Sequence, residues 1–204
     1  MAGFPTLTRP WKISLAVGAA VLTLAGLGAV LLYSGAYNIA GDVPHTKPVY
    51  WLLQTARTHS IAVRARHISV PSDLSDPKRI AAGASEYAEM CSGCHLAPGM
   101  GKTEMSQGLY PAALELSLGS ELTTAEQFWV IKHGIKMTAM PAWGRTHDDE
   151  LLWDMVAFLQ ELPTLSPKAY RTIVESAPHS HDEMMQEHMP GMKMNGDGTA
   201  MPPQ

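Results

Sequence analysis

Cysteine is almost absent: Cys91 and Cys94 are the only two in 204 residues. Charge is also sparse, at 17% Asp, Glu, Lys and Arg with a formal net charge of −4. That balance removes the electrostatic support a nucleic-acid-binding protein needs. A zinc site built on cysteine lacks its second C-x-x-C. The βαβ surround of a thioredoxin-like dithiol is missing as well. Structural disulfides are excluded if another group takes both thiols.

What is present is Cys91-Ser92-Gly93-Cys94-His95. This is C-x-x-C-H, the attachment signature of a c-type haem. The chemistry requires the spacing. Two thiols add across the two vinyl groups, and the adjacent histidine ligates iron from the same side of the ring. Cys91 and Cys94 are therefore read as the covalent haem attachment points and His95 as an axial iron ligand, one haem c per chain.

With no disulfide to report the compartment, the leader must do so. Arg9 and Lys12 precede a run from Ile13 to Tyr33 that carries no charge. The run is long enough to cross the hydrocarbon core as a helix. The basic flank places the N-terminus in the cytoplasm, and Trp11 and Tyr33 stand at interfacial positions. A cleaved signal peptide ending at Ser34-Gly35-Ala36 is the competing reading. The run exceeds the usual signal-peptide core, so an uncleaved anchor is favoured. Either way the rest of the chain lies on the periplasmic side of a bacterial inner membrane.

Four segments follow: 1–35, a cytoplasmic stub and anchor; 36–76, a juxtamembrane amphipathic helix and linker; 77–165, the haem domain; and 166–204, a flexible tail. The expected fold is all-α. Val49 to about Arg66 reads as an amphipathic helix, either a solvated stalk or a docking surface for a membrane partner or lipid headgroups. Asp76 and Pro77 suit a helix start leading into Cys91. Pro and Gly predict no long element over 97–122. Thr123 and Glu126 form a capping box for a helix that stops at Gly134. A further helix is expected from His147, capped by Thr146, to Pro163. A short one is expected over Pro167–Val174.

The second axial position has several candidates. Met140 sits in a loop between two helices, and Pro141 stiffens its exit. Met137, Met100, Met105 and His133 remain open on the residues alone. Thioether ligation raises a reduction potential because soft sulfur favours ferrous iron. Met90, Leu96, Leu109, Trp129, Trp143 and Phe158 are candidates for an apolar lining. Lys136 and Arg145 are candidate propionate partners, or solvated charges.

Residues 77–163 resemble a class I cytochrome c. Gly83 and Tyr87, spaced four by four before Cys91, match the family's first helix. Met155, Val156 and Phe158 resemble the face with which its last helix crosses that glycine. Met140-Pro141-Ala142-Trp143 is similar to the end of the family's methionine loop, although Gly134 lies further upstream than usual. The resemblance implies His95 and Met140 as the axial pair. Pro98 follows His95 too closely to take the role of the family's common proline.

Thirteen methionines are many, and six lie beyond residue 183. With histidines they form a tail suited to copper: His179, His181, Met184, Met185, His188, Met189, Met192 and Met194, with Asp182, Glu183 and Glu187 as hard donors. From Ser176 the tail shows no apolar periodicity and is expected to be disordered.

The expectation is an electron carrier rather than an enzyme, anchored through residues 13–33 and exchanging single electrons with membrane or periplasmic redox proteins. Two alternatives stand beside it. One is a copper-handling protein with the haem as redox partner of the tail. The other is the cytochrome subunit of a membrane oxidoreductase complex.

Overall fold

The computed structural model describes residues 9–177, Glu183 and a two-residue antiparallel pair, Lys193–Met194 with Ala200–Met201. The chain divides into two compact units, Met1–Val43 and Pro44–Gln204. Apart from that short pair, the described regular structure is helical.

The first unit holds α1, Arg9–Tyr33. Within it Pro10–Tyr33 is long and apolar enough to cross a membrane. Every described side chain on it is exposed. A helix that is apolar on all sides has no single core-facing stripe of the kind that seats an amphipathic helix on a globular domain.

The second unit begins with α2, Lys47–Ala65, which buries Ile61 and Ala65. The helix α3, Pro77–Glu86, starts as expected: the Asp76 side chain accepts from the Lys78 amide at 2.9 Å, and Pro77 takes the first position. A π-helical turn, Tyr87–Cys91, continues it into the short α4, Ser92–His95. Between 97 and 122 there is only α5, Glu104–Gly108, and a single 3-10 turn at Leu116–Leu118.

The helix α6, Thr124–His133, carries the expected capping box: Thr123 accepts from the Glu126 amide, and Glu126 accepts from the Thr123 amide at 2.8 Å. It stops at Gly134, where φ is +64°. The helix α7 runs Asp149–Glu161. Its cap is Asp148, not Thr146, with the Asp148 carboxylate accepting from the Leu151 amide at 3.0 Å. The Thr146 hydroxyl is turned back to the Trp143 carbonyl at 3.2 Å, closing the turn Trp143–Arg145. The helix therefore starts two residues later than the polar run suggests.

Two buried clusters meet on α7. Phe128, Ile131, Leu152, Trp153, Met155 and Val156 form one, with Phe128 and Trp153 stacked 4.0 Å apart. Ala84, Tyr87, Ala97, Phe158 and Leu162 form the other. The expected crossing of α3 and α7 is at Gly83. A Cβ there would lie 1.9 Å from the Asp154 carbonyl oxygen and 2.9 Å from Phe158 Cβ. Arg79 locks the same crossing, reaching Asp154 at 2.6 Å, Glu150 at 2.6 Å and Asp73 at 2.9 Å. The last helix, α8, Pro167–Glu175, lays Tyr170, Ile173 and Val174 against the second cluster. Pro167 closes on Gly99, whose φ is +77°.

Candidate haem-binding site

The motif is carried by the end of α3. The π-helical turn inserts an extra residue per turn before Cys91, so the chain arrives at Ser92–His95 rotated from a regular α-helical path. Cys91 and Cys94 are then three residues apart on one short helical stretch, both half-buried as free thiols. Burial pushes the Cys91 thiol up to about 12, with the nearby Glu86 and Cys94 adding to it. A buried thiolate is thereby disfavoured, whereas a thioether carries no charge and is not opposed by burial. The Cys94 sulfur touches Met105 Sδ at 3.0 Å, which places α5 beside the motif. The Thr103 hydroxyl, which caps α5, also donates to the Gly93 carbonyl.

His95 is oriented by the backbone. Its Nδ1 lies 2.8 Å from the Leu114 carbonyl oxygen, nineteen residues further along the chain. A carbonyl only accepts, so Nδ1 bears the proton and Nε2 keeps its lone pair. Burial holds the His95 pKa below its ordinary value, and the Leu114 contact opposes this only in part. The imidazole is thus kept neutral with Nε2 as its donor nitrogen, the state that binds iron. Pro98 takes no part in this bond, in line with its position too close to His95. The sequence carried no sign of Leu114, because a backbone carbonyl has no residue signature.

After His95 the chain turns sharply at Leu96, whose φ is +59° and ψ 175°. A buried leucine in this region of backbone space costs roughly 1–3 kcal/mol. Tyr87 offsets that cost. Its ring packs on Phe158 at 5.3 Å and its hydroxyl donates to the Leu96 carbonyl. The aromatic residue four before Cys91 therefore holds the exit from the motif.

Met140 ends a closed loop. The Ile135 amide donates to the Met140 carbonyl at 3.2 Å, and the Met140 amide donates to Thr138 Oγ1 at 3.1 Å. Thr138 in turn donates to the Ile135 carbonyl at 2.8 Å. Gly134 lets the base of the loop close, since a Cβ there would stand 2.7 Å from the Met140 oxygen. Met140 is half-buried and packs on the first cluster together with Met90 and Trp143.

The other candidates lie differently. Met137 has a φ of +59° and is 74% exposed, while Met100 and Met105 are also exposed. His133 is exposed at the end of α6, beside Trp129. Trp129 lines a cleft of about 420 Å³ together with Arg64, Ile68 and Trp153, and none of the motif residues borders it. Of the proposed lining, Leu96 and Phe158 are buried, and Met90, Leu109 and Trp143 are half-buried. Lys136 and Arg145 are exposed.

One polar pair was not foreseen. Glu86 and His147 are both buried, with Nε2 to Oε2 at 3.7 Å. His147 also stands edge-on to Trp143 at 5.4 Å and has Nδ1 2.8 Å from the Thr146 hydroxyl. The pair joins the helix that leads into the motif to the turn that follows the Met140 loop.

The copper expectation falls on His179, His181, Met184, Met185, His188, Met189 and Met192, which lie outside the described residues, as does the side chain of Met194. The expected disorder of that tail lies outside them too. Among the described residues no group of three or more His, Cys, Asp or Glu could hold a metal ion.

Residues 78–159 match the family model described as Cytochrome C oxidase, cbb3-type, subunit III. The matched stretch runs from the second residue of α3 almost to the end of α7, and it contains both thiols, His95 and Met140. Neither the curated proteins nor the solved structures gave a match.

Proposed function

From the premise that residues 78–159 are a class I, monohaem cytochrome c domain of the cbb3-oxidase subunit III type, we propose that the protein is a membrane-anchored electron carrier. Its haem domain faces the periplasm and exchanges single electrons with an oxidase complex of the membrane. Electron transfer follows from the domain type; the anchor, the ligand pair and the partner are our reading.

The observation that carries it is the state of His95. Its Nδ1 is committed to the Leu114 carbonyl and its Nε2 is left to bind metal, with two free thiols on the same short stretch. Those three residues fit a covalent haem c, which when bound supplies a one-electron couple. Met140 is the sixth ligand in this reading. It is half-buried at the end of a hydrogen-bonded loop, whereas Met137 faces solvent. With His95 and Met140 both holding the iron, a bound haem would have no place left for a substrate, so the chain would carry electrons without itself transforming one. The residues around it exclude water: Leu96 and Phe158 are buried, and Met90 and Trp143 pack inward. Exclusion of water disfavours the extra charge of the oxidised form and raises the potential.

The anchor reading rests on Pro10–Tyr33. The test is to solubilise the native membranes in mild detergent and follow the haem through purification. The expected result is a full-length chain, residues 1–33 included, that keeps its haem on a denaturing gel and co-purifies with a terminal oxidase. Recovery from the soluble periplasmic fraction as a shortened chain without an oxidase would overturn the anchor and the partner together.

A further inference from the structure

We propose that the outward face of α2 lies on an anionic phospholipid surface, a second membrane contact for the unit that carries the haem. The proposal rests on the anchored reading only for the proximity that a tether provides.

The helix has two faces. Ile61 and Ala65 are buried on the side toward α6. On the opposite side, steps of 100° per residue bring Trp51, Leu52, His59, Ala62, Val63 and Arg66 into one stripe. All six are exposed, with Trp51 at 67%, Leu52 at 60% and Val63 at 49%. Tyr50, 45% exposed, falls on the same side as Ile61 and lies outside the stripe. A purely solvated stalk has no need for tryptophan, leucine and valine on its wet side.

The charge pattern says what covers them. Residues 44–72 contain none of the chain's 19 Asp and Glu, but four of its 15 Lys and Arg: Lys47, Arg57, Arg64 and Arg66. The remainder of the chain therefore carries 11 basic against 19 acidic residues, a formal charge of −8. None of the four cations is in an ion pair among the described residues; Arg64 bonds only within the helix, to Ser60, and Arg66 contacts His67. By the same steps Arg66 lies within the stripe and Lys47 at its border, whereas Arg57 and Arg64 fall on the other side of the helix. An amphipathic helix with aromatic and aliphatic residues on one face, an unneutralised cation among them and no acid near them is built to lie in the headgroup region. Anionic lipid supplies the complementary charge.

Connectivity favours a lipid surface over an acidic protein. Trp51 is at the end of α2 nearer the apolar helix along the chain, where an interfacial aromatic is expected. The segment 34–46 spans at most about 45 Å when fully extended, at about 3.4 Å per residue. The tether thus holds α2 at high effective concentration near the surface, so a weak contact suffices.

The test uses the full-length holoprotein in vesicles of phosphatidylethanolamine and phosphatidylglycerol, with phosphatidylcholine vesicles as the neutral arm. A nitroxide is attached at Leu52→Cys or Val63→Cys, and for reference at Leu118→Cys, which is 79% exposed in its native form. Cys91 and Cys94 are held as thioethers and do not react, and an unchanged haem spectrum shows that each variant is folded. The expected result is an oxygen-to-nickel collision ratio several-fold higher at 52 and 63 than at 118 in the anionic vesicles. That ratio should drop in the neutral vesicles and in K47Q/R66Q. Ratios at 52 and 63 equal to that at 118 overturn the proposal. So does shielding that arises only after solubilised membrane proteins are added back, which would mean a protein surface instead. Resistance to alkaline carbonate extraction reports on the anchor separately: a carbonate-resistant protein with water-like labels refutes the α2 contact and leaves the anchor standing.

Discussion

Gly83→Ala is the sharpest probe of the packing that holds the haem helix. The new Cβ would stand 1.9 Å from the Asp154 carbonyl oxygen, 2.5 Å from its carbon and 2.9 Å from Phe158 Cβ. Ordinary contact begins at 3.4 Å, so α3 and α7 must separate by 3.4 − 1.9 = 1.5 Å or bend locally. The obstacle is backbone, which cannot rotate away. Overpacking costs roughly 1–3 kcal/mol, and this geometry belongs at the upper end, about 3 kcal/mol. Alanine returns about 1 kcal/mol of helix propensity. The clash wins, and the net loss is about 2 kcal/mol. For a haem domain of this size that lowers the melting temperature by about 8–16 °C. Thermal unfolding of the holoprotein, followed by far-ultraviolet circular dichroism, measures it. Gly101→Ala is the control: it lies outside any helix with nothing within 4 Å of its Cβ position, and its stability should stay within about 0.5 kcal/mol of wild type. A Gly83→Ala protein as stable as wild type would refute the crossing as described.

Two further changes test the flanks of the site. Tyr87→Phe removes the hydroxyl that holds the Leu96 carbonyl and should cost about 1–2 kcal/mol in denaturant titrations. It should also flatten the alkaline side of the stability profile. Burial, with Cys91, Tyr170 and Glu115 nearby, raises Tyr87 above the ordinary value of 10.0. The unfolded chain therefore releases this proton first, and the contribution, whole below pH 10.0, is lost as pH rises beyond it. Gly134→Ala combines an unfavourable φ of +64° with a Cβ 2.7 Å from the Met140 oxygen. It should loosen the methionine loop, seen as loss of the sulfur-to-iron charge-transfer band of the ferric protein at temperatures well below global unfolding.

Features decided by neighbours in the chain were legible beforehand. The Thr123–Glu126 capping box and the Asp76 cap each need only residues within three positions. The motif, the Gly83–Tyr87 spacing and the Met140-Pro141 loop are likewise written in residue types. Thr146 misled because two polar residues compete for the cap, and the one nearer the helix won once the other was drawn to Trp143. What escaped depends on contacts that spacing cannot show. The Leu114 carbonyl reaches His95 across nineteen residues, Arg79 gathers acids from the linker and from α7, and Glu86 meets His147 in the interior. The packing of α8 on Phe158 belongs to the same class, since a nine-residue amphipathic helix does not declare its partner.

The measurement that bears most directly on the central claim is the ferric spectrum and reduction potential of the Met140→Ala holoprotein beside Met137→Ala. Met140→Ala should keep its haem covalently on a denaturing gel, through Cys91 and Cys94. It should lose the sulfur-to-iron charge-transfer band and titrate at a lower potential, because thioether ligation favours the reduced state. Met137→Ala should keep both the band and the potential, in keeping with a side chain that is 74% exposed. An unaltered band and potential in Met140→Ala would contradict the assignment of the site.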